Sequence, residues 1–249
     1  MSPHSESPPR PPALHRPGVL RFSAVELLGA LGLLFFTSPF VEDLKHGHLV
    51  EGLLMTLVLV SSVMAVGGRR RTLIMAGLLV TPVLLGKWAN HLRPDLVPVE
   101  FFLLCQLVFL VFVAVNLLRF ILRAPHVNSE VLCAGIAGYL IVGLLWNVAY
   151  QLVSLATPNA FSFTTGPANQ GTMDGFTACY FSFATLTTIG YGDIIPASKA
   201  ARMLAVMEAM TGIFYIAVVI SRLVALYSSR PEPSAPPVGP APTGPPNAP

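Results

Sequence analysis

Residues 185–193 read Thr185-Leu186-Thr187-Thr188-Ile189-Gly190-Tyr191-Gly192-Asp193, a strip of small and polar residues between two apolar stretches. On its N-terminal side lies Phe176-Thr177-Ala178-Cys179-Tyr180-Phe181-Ser182-Phe183-Ala184, a short aromatic helix ending near Thr187 and too short to cross a bilayer. On its C-terminal side, after Pro196, an apolar run extends from about Ala200 to Tyr227. A half-length helix, a glycine-interrupted strip and a full-length span describe a chain that dips into a membrane and returns. Irregular backbone is tolerated at that depth only where protein buries it or where it lines a watery path. The strip is therefore expected to line a path.

Its chemistry suits a dehydrated cation. Gly190 and Gly192 alternate with larger residues and can take backbone angles closed to the others. Such alternation turns successive carbonyls to one side, where they replace the water shell of an ion. Thr188 adds a hydroxyl oxygen, and the preceding helix points the negative end of its dipole toward the path. In these residues the sequence resembles the tetrameric potassium channels, whose filter reads Thr-Val/Ile-Gly-Tyr-Gly followed by Asp. The resemblance covers the whole pore loop and, more loosely, both flanking spans, residues 130–228. It implies a selectivity filter of Thr188, Ile189, Gly190, Tyr191 and Gly192. K+ would be held by the backbone carbonyls of Thr188, Ile189, Gly190 and Tyr191. One strand cannot surround an ion, so four copies are expected to meet on one axis as a homotetramer. No cofactor is expected beyond the permeant K+.

The rest of the chain fits a membrane. Of 249 residues, 53% are hydrophobic and only 11% charged, with a mean hydropathy of +0.67. That balance excludes an ordinary soluble domain. Apolar runs over about 22–40, 49–66, 72–88, 99–122, 131–155 and 200–227 are each near the ~20 residues a spanning helix needs, with Pro82 a kink candidate in the third. The expected fold is an all-α integral membrane protein. A four-helix N-terminal module, 21–123, precedes a two-helix pore domain, 130–228, with its re-entrant pore helix.

Lys and Arg set the orientation. With both termini inside, inner segments hold ten of them and outer segments five, the bias expected of cytoplasmic loops. This also places the Gly-Tyr-Gly strip at the outer face. Residues 1–20 and 229–249 are Pro-rich and read as disordered cytoplasmic tails. The compact size suggests a prokaryotic plasma membrane. The segments outside the bilayer are short, so neither enzyme activity, a nucleic-acid partner nor a soluble ligand domain is expected. Cys105, Cys133 and Cys179 all fall in apolar runs and read as small apolar residues rather than ligands or a disulfide.

Several residues carry two readings. Asp193 either concentrates cations at the outer mouth and braces the filter, or simply caps a loop. By the resemblance, Tyr180 stands where many relatives place Trp, and a Tyr180–Asp193 hydrogen bond is expected; Tyr191 would pack against Tyr180 and Phe181. Glu208, deep in the last span, is either a cation-attracting cavity residue or, the favoured reading, a brace behind the pore helix; a carboxyl in lipid is costly and so points to function. Gly212 is either a gating hinge or a close-packing contact. Arg119 and Arg123 close the fourth span at its inner end, where they read as interface anchors, because the span itself carries no arginine ladder. His46 and His48 lie in a turn and read either as solvated, the favoured reading, or as an external pH-sensitive patch. The alternatives to a potassium channel are a non-selective cation channel and a non-conducting regulatory subunit.

Overall fold

The computed structural model describes residues 24–41, 47–66, 70–92, 98–164 and 173–228. The proposed tails, 1–20 and 229–249, lie outside them, as do the His46 and His48 side chains. Seven helices and two short strands follow in order among the described residues: α1 (Ala24–Val41), α2 (Gly47–Val66), α3 (Arg70–Leu92), α4 (Val99–Arg123), α5 (Ser129–Ala156), β1 (Phe161–Phe163), α6 (Gly175–Leu186), β2 (Ile194–Pro196) and α7 (Lys199–Ser228). Helix α3 continues through Pro82.

Among the described residues, three helices are long and apolar enough to cross a membrane: Val99–Arg123, Ser129–Ala156 and Lys199–Leu226. The apolar stretches Ala24–Phe40 and Gly52–Ala65 are shorter, as is α6, Gly175–Leu186. In α3, Arg70 and Arg71 at one end and Lys87 near the other confine the uncharged stretch between them. The chain is thus a mostly helical membrane protein, and among the described residues its full-length candidate spans are α4, α5 and α7.

Local chemistry sets the boundaries around the strip 185–193. Asn128 caps α5 by accepting from Val131 N at 2.9 Å. Asp174 caps α6 in the same way, accepting from Thr177 N at 2.8 Å. Ser198 accepts from Ala201 N at 3.1 Å at the start of α7. Such a cap satisfies an amide that the helix itself leaves unpaired and contributes about 1 kcal/mol.

Helix α5 is the hub, packing against α4, α6, α1 and α7. One buried cluster, including Leu27, Leu31, Phe109, Val113, Ile121 and Ile141, joins α1, α4 and α5. A second, including Trp146, Tyr150, Phe161, Phe181, Leu186 and Ile194, joins α5, α6 and the ribbon. The ribbon was not anticipated. β1 and β2 pair antiparallel with Phe161 opposite Pro196 and Phe163 opposite Ile194, tying the segment after the strip to the loop before α6.

Candidate ion path

Helix α6 ends at Leu186, and the amides beyond it turn back onto it. Thr188 N donates to Thr185 O at 2.9 Å, and Ile189 N and Gly190 N both donate to Ala184 O, at 2.9 and 3.0 Å. From there the backbone alternates. Thr188, Gly190 and Gly192 hold positive φ of 61°, 53° and 78°, while the intervening Ile189 and Tyr191 do not. The carbonyls of Thr188, Ile189, Gly190 and Tyr191 accept no hydrogen bond from the described residues. A strip whose lower amides face the protein and whose carbonyls are left without donors is equipped to offer oxygens to a cation. Residues Thr187 through Gly192 are all exposed on the protomer.

The C-terminal end of the strip is held by side chains. Tyr180 Oη donates to Asp193 Oδ2 at 2.8 Å, and the Tyr180 and Tyr191 rings stack with centroids 6.0 Å apart and planes 8° apart. Phe181 does not join that stack. Its ring contacts are Tyr150, at 4.8 Å, and Phe161, at 5.5 Å. Adjacent helical residues diverge by about 100°, so Tyr180 and Phe181 face different neighbours. Asp193 Oδ1 accepts from Ile194 N at 3.1 Å. Across the ribbon, Thr164 donates to the Asp193 carbonyl twice, from N at 2.9 Å and from Oγ1 at 3.0 Å.

Behind α6 sits Glu208, fully buried. Tyr150 of α5 donates its hydroxyl to Glu208 Oε2. On α6, Ser182 Oγ lies 2.5 Å from Glu208 Oε1 and 2.8 Å from the Gly143 carbonyl oxygen of α5. The carboxyl is therefore enclosed among α5, α6 and α7. The open side of α7 is lined instead by exposed side chains such as Met207, Met210 and Phe214. Gly212, one turn on, lies against the end of α6: a Cβ there would stand 2.6 Å from Leu186 O and 3.0 Å from Leu186 Cδ1. Helix α7 runs through Gly212 without interruption.

The structure thus brings Tyr180, Tyr191 and Asp193 together at one end of the strip, and Glu208 and Gly212 behind it. Tyr150, Ser182 and Thr164 were missed from sequence. Ser182 carried a faint signal as a small polar residue inside an aromatic helix. The Phe161-Ser162-Phe163 alternation was the corresponding sign of the ribbon. Arg119 and Arg123 are exposed at the end of α4, and His126 is exposed beyond it. The three cysteines form no disulfide among the described residues and are half-buried.

Residues 131–229 match the family model described as ion channel. The rice protein "Two pore potassium channel b" is 36% identical over 89 residues, 35% of this chain and 24% of that protein. "Two-pore potassium channel 1" of Arabidopsis thaliana is 38% identical over 58 residues, 23% of this chain and 15% of that protein. "Voltage-gated potassium channel Kch" of Escherichia coli is 49% identical over 37 residues, 15% of this chain and 9% of that protein. The chain spans no more than about a quarter of the length of these relatives. No solved structure matches it significantly. The segment 131–229, with the strip within it, is thus similar to the ion channel family.

Proposed function

We propose that this chain is a potassium-selective channel subunit of a plasma membrane, conducting K+ passively through a filter built from Thr188 to Gly192 of four copies. The observation that carries the reading is the alternation of positive φ at Thr188, Gly190 and Gly192 along a strip whose carbonyls at Thr188, Ile189, Gly190 and Tyr191 accept no hydrogen bond from the described residues. Carbonyl oxygens from one strand reach an ion from one side only, so a complete shell requires further copies around an axis. The exposure of the strip and of Met207, Met210, Ile213 and Phe214 on α7 supports that axis lying on this side of the protomer. The potassium channels among its relatives support the choice of ion.

In this reading α1–α4 form the N-terminal module and α5–α7 the pore domain, with both termini cytoplasmic. Tyr180 and Asp193 brace the outer mouth, and Tyr191 holds the filter to its width. Glu208 acts as the brace behind the pore helix, since its carboxyl meets Ser182 and Tyr150 and not the open face of α7. Gly212 either packs α7 onto the pore helix or bends during gating.

Purified protein in native lipid is expected at the mass of four chains, and in vesicles it is expected to release K+ down its gradient. A dimer with full flux would contradict the four-strand filter. Tetrameric protein in vesicles that stay tight to K+ would leave only the non-conducting reading.

A further inference from the structure

The contacts around Glu208 fix where protons can be. Three oxygen–oxygen contacts link four groups in series: Tyr150 to Glu208 Oε2, Glu208 Oε1 to Ser182 Oγ, and Ser182 Oγ to the Gly143 carbonyl. Each such contact needs one hydrogen between its oxygens. The Gly143 carbonyl can only accept, so the hydrogen in the 2.8 Å contact must be that of Ser182. A serine hydroxyl has one hydrogen, so Ser182 Oγ is then an acceptor toward Glu208. The hydrogen in the 2.5 Å contact must therefore come from the carboxyl. Tyr150 supplies the third.

We infer that Glu208 is a neutral carboxylic acid in the assembled protein and that Tyr150, Glu208 and Ser182 form a proton-ordered chain positioning the pore helix. An ionised Glu208 would draw the Ser182 hydrogen to itself and leave two acceptor oxygens, Ser182 Oγ and Gly143 O, facing each other at 2.8 Å without a proton. The titratable groups facing the carboxyl are Tyr150 and Tyr139, both of α5; α6 contributes Ser182. No basic side chain among the described residues pairs with it, and a buried carboxylate without a cation is costly.

The chain matters for the filter because of where Ser182 sits. It lies one turn before Leu186, at whose carbonyl the pore helix meets Gly212 and the Tyr139 hydroxyl. Its neighbour Phe183 fills the space over Gly143, where even one added carbon would meet the ring. The carboxyl thus pins α6 to α5 and α7 at the point where the helix hands over to the strip. The positioning residues Ser182, Glu208 and Tyr150 act on the ion path through α6 and touch no ion themselves. This consequence for permeation rests on the channel reading above, whereas the protonation state does not.

Difference infrared spectroscopy of the full-length protein in lipid, parent against Glu208→Gln, reads the proton directly. The expected result is a protonated-carboxylic-acid carbonyl band in the parent that is lost in E208Q. A parent showing the carboxylate doublet in its place overturns the inference, whether or not the protein conducts. The amide of E208Q can donate to Ser182 and accept from Tyr150, so its K+ over Na+ permeability ratio is expected to stay within about twofold of the parent. Ser182→Ala removes both of its contacts and is expected to lower that ratio by about tenfold, the effect of roughly one lost buried hydrogen bond. If E208Q impairs selectivity as much as S182A does, the carboxyl is acting as an anion and the proton-ordered chain is wrong.

Discussion

Gly190 and Gly192 hold φ of 53° and 78° in a protomer where nothing lies within 4 Å of an added Cβ. The cost of alanine at either position is therefore conformational rather than a matter of packing within the protomer, at about 1–2 kcal/mol per residue for an L side chain in that region. Repeated in each strand of the proposed four-strand filter, it is expected to move the carbonyls out of register. Gly190→Ala and Gly192→Ala should each yield inserted protein that has lost discrimination of K+ from Na+, read from reversal potentials; retained selectivity in either would show that this strip is not the filter. The positive φ at both glycines was legible in the sequence because glycine takes such angles at no steric cost. The positive φ at Thr188 was not legible, since a threonine adopts it only when its surroundings hold it there. Here that hold includes the bond from Thr188 N to Thr185 O. Nor could sequence pair Glu208 with Ser182 and Tyr150, which lie 26 and 58 positions away and meet it only once three helices have packed.

At the scale of elements, the apolar runs foretold the helices because an uncharged stretch in a membrane has little alternative to helix. The last two spans were placed within about two residues of α5 and α7. The ribbon of β1 and β2 was not foreseen: three-residue strands leave almost no periodicity to read, and the pairing depends on bonds such as Ala197 N to Ala160 O. Gly212 shows how an element contact separates two readings. With Leu186 O only 2.6 Å from a Cβ at that site, Gly212→Ala is expected to force α7 away from α6. Overpacking of this kind costs about 1–3 kcal/mol, visible as a lower thermal unfolding temperature. A variant that keeps its thermal stability but opens less often would instead assign Gly212 to the hinge.

At the scale of the whole molecule, the proposed N-terminal module and pore domain invite comparison with channels that respond to voltage. One charge crossing the field supplies ~2.3 kcal/mol per 100 mV, and steep gating draws on ~3–4 charges in each subunit. The body of α4 between Val99 and Leu118 carries no arginine, and Arg119 and Arg123 are exposed at its end. Open probability is therefore expected to change gently over the range of about −100 to +100 mV in which that work is counted. A steep curve in single-channel recordings that flattens on neutralising both arginines would contradict this. The central claim is that the carbonyls of four strips select potassium, and planar-bilayer recording with K+ on one side and Na+ on the other tests it most directly. The account expects single-channel currents reversing close to the potassium equilibrium potential; currents that reverse near zero would show that the path does not tell the two ions apart.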